Sequence, residues 1–256
     1  MKWLKLVALG VLVIGGLAAV QPVPVMAAQE LTVSAAASLT NAFPEIGKSF
    51  EQQHPGVKVI YNFAASGPLL QQIAQGAPVD VFASADQKTM DQAQEKGLIV
   101  PDSRKNFVSN TLVLIVPGDS KLALTGPKDL ASAGVKRVAL GNPAGVPAGR
   151  YSQEALSKAG LWEALQPKLI LGESVRQVLD YVSRGEVDAG FVFATDAAIA
   201  KGKVKTVTEV QGHQPIIYPA ALVAAGQQKE LAKEFLNFLT SAAGVEILKK
   251  YGFGRP

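Results

Sequence analysis

Strand-like and helix-like stretches alternate along most of this chain, and that alternation restricts the fold more than any other feature. ELTVSAAA, from Glu30, reads as a strand, and LTNAFPEIGKSFEQQHP carries apolar residues at helical spacing. VKVIYNFAA is a strand again, followed by LLQQIAQG, a short helix ended by glycine. VDVFASA and ADQKTMDQAQEKG repeat the pair. The order βαβαβα is that of a parallel sheet with helices on its faces, because a parallel strand needs a long crossover to return to the same edge.

A second unit of the same kind follows. NTLVLIVP, KRVALGNP and AGFVFAT read as strands, KLIL is a short extended piece, and KDLASAG, RYSQEALSKAGLWEALQP and SVRQVLDYVSRGE read as helices. IIYPAALVA returns as a strand, and QQKELAKEFLNFLTSAAGVEILKKYGF is one long or broken amphipathic helix. The expected fold class is α/β, with two lobes that each hold a mostly parallel sheet flanked by helices. Open sheets of this kind place ligands at the carboxyl ends of their strands, so a cleft between the lobes is the expected site. Residues 29–109 plus 217–256 are expected to form lobe 1 and 110–216 lobe 2, with crossings near Ser109 to Thr111 and Pro215 to Tyr218 as the hinge.

The first 28 residues stand apart. Lys2 and Lys5 precede an apolar stretch from Leu6 to Val20, and VPVMAAQE supplies small residues for cleavage after Ala27 or Ala28, the pattern of a secretory signal peptide. Fifteen apolar residues with two internal glycines are short for a bilayer span. The mature chain is expected to be soluble and exported to the periplasm. It contains no cysteine, so disulfides, thiolate metal sites and a lipidated cysteine are excluded and the core must carry stability. The net charge of +4 falls to +2 without the leader's lysines. Basic residues are scattered, and the densest group, Lys201, Lys203 and Lys205, alternates as on the solvent face of an edge strand. Without an electrostatic footprint, nucleic acid is not an expected partner.

Four strand-to-helix turns should face the cleft. Ser38 ends the first strand. Ser66 and Gly67 precede Pro68, which suits the first turn of a helix. GNPAGVPAGRYSQEAL forms a stiff loop entering a helix through Pro147, Ala148 and Gly149, and GESVRQVLDYV places Ser174 and Val175 at another helix start. Helix starts present unpaired N–H groups and the positive end of a dipole. Taken singly, Ser38, Ser66 and Ser174 each read as a helix N-cap; only their conjunction describes a cage of neutral donors suited to an anion.

AAASLTNAF, FAASGPL with QIAQGAPVDVFASADQKTMD, GNPAGVPAGRYSQEAL and the ending KKYGF together resemble the periplasmic molybdate-binding proteins of ABC transporters, the ModA family, over essentially the whole mature chain. The resemblance implies the two-lobed type II periplasmic binding fold, monomeric, with molybdate or tungstate as ligand and no further cofactor, and a membrane permease and ATPase as partners. It implies ligand contacts from Ser38, Ser66, Ala148 and Val175, the serines through hydroxyl and amide and the other two through amides, with the ligand oxygens rather than the metal making the contact. One position departs: where relatives carry a tyrosine whose hydroxyl reaches the ligand, FVFATDA has Phe193, so the missing donor would come from another group such as Tyr151, Thr195 or water. Another tetrahedral oxyanion, sulfate or thiosulfate, and an exported anion-sensing module are the alternative readings.

Catalysis is not expected. A serine nucleophile needs a base, and the two histidines, His54 at a helix end and His213 in a late loop, lie away from the cleft turns. Asp80, Asp86, Asp188 and Asp196 flank strands and helix starts, where capping and dipole complementarity explain them. Arg150 and Arg176 adjoin the cleft turns, with solvent-facing or ion-paired roles expected.

Overall fold

Continuous apolar runs become strands buried on both faces, and they account for the centre of each sheet in this computed structural model, which describes residues 29–256. The signal-peptide reading lies outside the described residues. In chain order the elements are β1 (Gln29–Ala36), α1 (Ala42–Gln53), β2 (Val57–Ala64), α2 (Ser66–Ala74), β3 (Val81–Ala83), α3 (Gln87–Glu95), β4 (Lys105–Asn110) and β5 (Leu112–Pro117). There follow β6 (Val138–Gly141), α4 (Pro147–Lys158), α5 (Trp162–Leu165), β7 (Leu169–Gly172), α6 (Val175–Ser183), β8 (Ala189–Phe193), α7 (Ala194–Ile199), β9 (Val204–Glu209), β10 (Ile216–Leu222), α8 (Lys229–Thr240) and α9 (Ala242–Lys250). KDLASAG forms only a 3-10 turn, Pro127–Ala131. The last helical segment breaks at Ser241, whose hydroxyl accepts from the Gly244 amide and so starts α9 afresh.

Two five-stranded sheets result, in the orders β2-β1-β3-β10-β4 and β7-β6-β8-β5-β9. In the first, β1 runs parallel to β2 and β3, while β10 is antiparallel to both β3 and β4. The second repeats this plan, with β6 parallel to β7 and β8, and β5 antiparallel to β8 and β9. Each sheet is therefore mostly parallel with one reversed strand, and the reversed strands β5 and β10 are those that follow the crossings between sheets. The chain leaves the first sheet at Thr111 and returns through residues 210–215.

The helices cover the sheets with their apolar faces. Phe43 and Phe50 of α1 meet Phe235 of α8, with ring centroids 6.3 and 5.3 Å apart and near-perpendicular planes, a favoured aromatic geometry. Glu45 accepts from Lys250 Nζ at 2.8 Å and from the Tyr251 hydroxyl at 2.7 Å, fastening the end of α9 to α1. β9 is an edge strand, but of the three lysines expected on the solvent face of such a strand only Lys205 lies on it; Lys201 and Lys203 are exposed in the turn that precedes it. Among the described residues no helix is long and apolar enough to cross a membrane.

Candidate functional site

Every residue singled out for ligand contact lies at, or in the connection following, the carboxyl end of a strand. Ser38 is in the turn after β1, Ser66 opens α2 after β2, Ala148 is the second residue of α4 after β6, Val175 opens α6 after β7, and Phe193 ends β8. The structure gathers all five around one small cavity. Its wall on one side is Ser38, Ser66 and four alanines of the first lobe; on the other it is Val146, Pro147, Ala148, Val175 and Phe193 of the second. The five predicted residues are at most 4% exposed. The centre of a water-sized sphere ranges there over about 10 Å³; with the sphere's own radius added, the room is roughly 2.7 Å in radius.

No charged side chain is among the lining residues. The polarity comes from two hydroxyls and from amides in the first turns of α2, α4 and α6, where the helix supplies no acceptor. Pro147 at the start of α4 leaves Ala148 as the first residue of that helix with an N–H to offer. Gly149 behind it is required by space, since a Cβ there would lie 1.8 Å from the Gly141 carbonyl oxygen.

The N-cap reading holds for Ser174, whose side chain accepts from the Gln177 amide, and fails for the other two serines. Ala65 is at the N-cap of α2, and Ser66 Oγ instead accepts from the Ala85 amide at 3.0 Å. Ser38 Oγ lies 2.9 Å from the Tyr218 hydroxyl. Ser66 Oγ thus accepts one bond from the protein, and its proton remains available to a guest in the cavity. Neither Tyr151 nor Thr195 lines it: Tyr151 faces the adjoining groove with Asp86 and Arg150, and Thr195 Oγ1 accepts from Asn110 Nδ2 at 2.9 Å. Tyr218 was not among the expected site residues. A lone tyrosine within the apolar run IIYPAAL was the available signal, because a buried phenol needs a hydrogen-bond partner.

Both flanking arginines are ion-paired and span the two lobes. Arg150 of α4 donates through Nε to Asp86 Oδ2 at 2.8 Å and through Nη2 to Thr89 Oγ1 at 2.7 Å, both across the cleft. Arg176 of α6 contacts Asp196 of its own lobe, Nε to Oδ1 2.5 Å, by close approach of charges rather than an aligned hydrogen bond. It also donates across the cleft to Asn41 Oδ1 at 2.7 Å and to the Ser38 carbonyl at 3.2 Å. Burial pushes the Asp196 carboxyl up to about 6 against the opposing pull of Arg176. The lobes also touch through backbone, Gly67 N–H donating to the Gly145 carbonyl at 2.9 Å.

The other carboxylates are structural, though not all as caps. Asp86 caps α3 through the Thr89 amide. Asp80 accepts from the amides of Thr32, Gln227 and Gln228, and Asp188 from those of Lys136 and Arg137. Asp196 caps no helix but lies in the first turn of α7, in keeping with dipole complementarity, and is fully buried against Arg176. His54 ends α1, stacked on Phe50 and within 3.1 Å of Glu234, and His213 sits between the carbonyls of Val210 and Gln214. Among the described residues no group of His, Asp and Glu side chains is arranged to hold a metal ion.

Two similar α/β lobes, joined by two crossings and closed over a small neutral cavity, define a solute-binding protein of the two-lobed class. The chain belongs to the bacterial extracellular solute-binding protein family, whose model matches residues 31–254; the family's role is binding, not catalysis. It is 41% identical to the molybdate-binding protein ModA of Escherichia coli over 234 residues, 88% of this chain and 88% of the relative. It is 37% identical to ModA of Haemophilus influenzae over 232 residues, 89% of this chain and 91% of the relative. Among solved structures, the periplasmic molybdate-binding protein of Azotobacter vinelandii matches with a TM-score of 0.78 at 28% identity, covering 88% of this chain and 99% of that one.

Proposed function

We propose that this chain captures molybdate, and tungstate alongside it, in the periplasm and hands it to the permease and ATPase of an ABC importer, acting as a monomer. The observation that carries the reading is the cavity itself: a room for one small solute, walled from both lobes by hydroxyls and amides and by no charged side chain. Such a room is on the scale of one small inorganic solute and excludes a sugar or an organic phosphate.

A dianion of that shape accepts hydrogen bonds at every oxygen and donates none, so fixed donors hold it through charge-assisted bonds. Sulfate is the smaller tetrahedron and leaves rigid donors stretched. Phosphate carries a proton at neutral pH, and no carboxylate or imidazole lines the cavity to accept it. Size and protonation therefore set the preference, not net charge. Molybdate and tungstate, nearly equal in size, are bound alike. The anion bridges the lobes and favours the closed form, the shape a permease would recognise.

Calorimetry of the mature protein against molybdate, tungstate, sulfate and phosphate tests this. Ser38→Ala combined with Ser66→Ala weakens molybdate at least tenfold, since hydrogen bonds to charged groups are worth about 1.5–3 kcal/mol each. Tight sulfate binding with none of molybdate overturns the ligand assignment, and unchanged affinity in the double variant overturns the pocket.

A further inference from the structure

The hydroxyl of Ser38 has a neighbour that decides which way its proton points. Tyr218 of β10 is fully buried, and its hydroxyl lies 2.9 Å from Ser38 Oγ and 3.2 Å from Asn110 Nδ2. Asn110 ends β4 at the crossing between sheets, and its side-chain orientation is fixed by two other bonds. Its Oδ1 accepts from the Thr111 amide at 2.9 Å, and its Nδ2 donates to Thr195 Oγ1. The nitrogen facing Tyr218 is therefore a donor, and the phenol oxygen accepts from it. A phenol has one proton of its own, and Ser38 Oγ is the partner within reach.

We propose that Tyr218 is a positioning residue: Asn110 donates to Tyr218, Tyr218 donates to Ser38, and Ser38 is thereby left with its own proton aimed at the bound anion. The proposal rests on the cavity being the oxyanion site. Ser66 reaches the same condition by a different route, accepting from the Ala85 amide. Each hydroxyl then has one lone pair engaged by a protein donor, which turns its own proton toward the cavity. That is the property that distinguishes a fully ionised oxyanion from one that carries a proton, because a protonated oxygen needs an acceptor and a free serine would provide one. Each bond in the chain also polarises the next, which strengthens the last donor.

Burial, with the nearby Asp196 charge second, pushes the Tyr218 hydroxyl well above its ordinary range, so it keeps the proton the chain requires. Removing only the hydroxyl spares the packing: the ring remains among Phe107, Phe193 and Phe253, at centroid distances of 6.3, 5.9 and 5.7 Å. Asn110 Nδ2 keeps Thr195 as its partner.

The test is a double-mutant cycle by calorimetry on Tyr218→Phe, Ser38→Ala and the pair, titrated with molybdate and with phosphate. Tyr218→Phe weakens molybdate about fivefold, the worth of one neutral hydrogen bond. It leaves phosphate unchanged or tighter, because Ser38 is then free to accept, so the molybdate-to-phosphate ratio falls. In the Ser38→Ala background the tyrosine substitution changes molybdate affinity less than twofold. A loss of equal size in both backgrounds, equal losses for both anions, or no loss in Tyr218→Phe alone refutes the relay. Wild-type protein that binds sulfate in place of molybdate sinks the ligand assignment only; the same cycle read with sulfate, which also carries no proton, still decides the role of Tyr218. Wild-type protein that binds neither removes the site and the relay together.

Discussion

A single methyl group at Gly67 separates the closed form from the open one. A Cβ built there lies 2.7 Å from both Cα and O of Gly145 and 3.1 Å from its carbonyl carbon, all backbone atoms of the opposite lobe. Ordinary contact begins at 3.4 Å, so Gly67→Ala requires the lobes to part by about 0.7 Å at this point. The Gly67 N–H to Gly145 bond, now 2.9 Å, is then lost, at about 1 kcal/mol for a neutral pair. Withdrawing the second lobe's amides from an anion held by the first costs at least one charge-assisted bond, about 1.5–3 kcal/mol. Together, about 2.5–4 kcal/mol corresponds to roughly 70- to 900-fold weaker molybdate binding. The ligand-free protein responds in the opposite direction. Gly67 is not among the glycines with positive φ and lies in the first turn of α2, so alanine there is unstrained and raises helix propensity by up to about 1 kcal/mol. The melting temperature should rise by roughly 1–4 °C. Gly145→Ala is the control: its Cβ meets only Pro68 Cδ at 3.3 Å and Cγ at 3.9 Å, so binding should change by no more than about threefold. Calorimetry and thermal melting on both variants suffice. Gly67→Ala binding within threefold of wild type would show that anion capture does not bring Gly67 and Gly145 into this contact.

The two serines should each matter for stability as well as for the cavity. Ser66→Ala strips the buried Ala85 amide of its acceptor, and Ser38→Ala strips the buried Tyr218 hydroxyl of the acceptor for its proton, each costing about 1–3 kcal/mol; urea melts of the ligand-free variants showing Ser38→Ala as stable as wild type would contradict the Tyr218-to-Ser38 bond. Asp196 should give an unusual pH slope. Its folded value, raised to about 6 from 3.8, means that the folded state holds this proton more tightly than the unfolded chain does between those two pH values. This group's contribution therefore improves as pH falls through about 6 toward 4, and its ionised form costs up to about 3 kcal/mol above pH 6. Urea midpoints from pH 7.5 to 4.5 should show Asp196→Asn lacking that acid-side gain; parallel profiles for the two proteins would remove Asp196 as its source.

The sheets were legible wherever burial on both faces wrote an unbroken apolar run. β5 and β8 were found that way, for LVLIVP and AGFVF are almost wholly buried. β4 was not, because KNFVSN is mixed in character, with only Phe107 and Val108 buried. In β9, VKTVTE buries one residue, and the lysine alternation that suggested an edge strand lies mostly ahead of it, with only Lys205 inside. The reversal of β5 and β10 has no local signature, since strand direction is set by which neighbours a strand pairs with after the chain crosses between lobes. The cleft turns were legible as a set through their small residues and prolines. The separate duties of Ser38, Ser66 and Ser174 were not, because a serine before a helix reads the same whether its oxygen caps the next turn or takes a hydrogen bond from Tyr218 or Ala85, partners far away in sequence. Tyr218 escaped for the same reason.

The arginines explain why the cavity can afford to be neutral. A guanidinium free to enter it would attract sulfate, phosphate and molybdate alike, since a mobile charge reads charge whereas fixed donors read size and protonation. Arg176 is held off by Asp196 within its own lobe, a partner it keeps when the lobes part. Arg150 is different: its carboxylate, Asp86, belongs to the opposite lobe, so that pair exists only on closure. Under the proposed function, opening would strip a bound anion of the Ala148 and Val175 amides and separate Arg150 from Asp86 in one movement. Each ion regains water as the cleft opens, which offsets much of the lost attraction. A site of that kind, held by many modest contacts divided between two bodies, would bind firmly when closed and, on the proposed function, release when a transporter separates the lobes, with no strong charge in the wall to retain the anion.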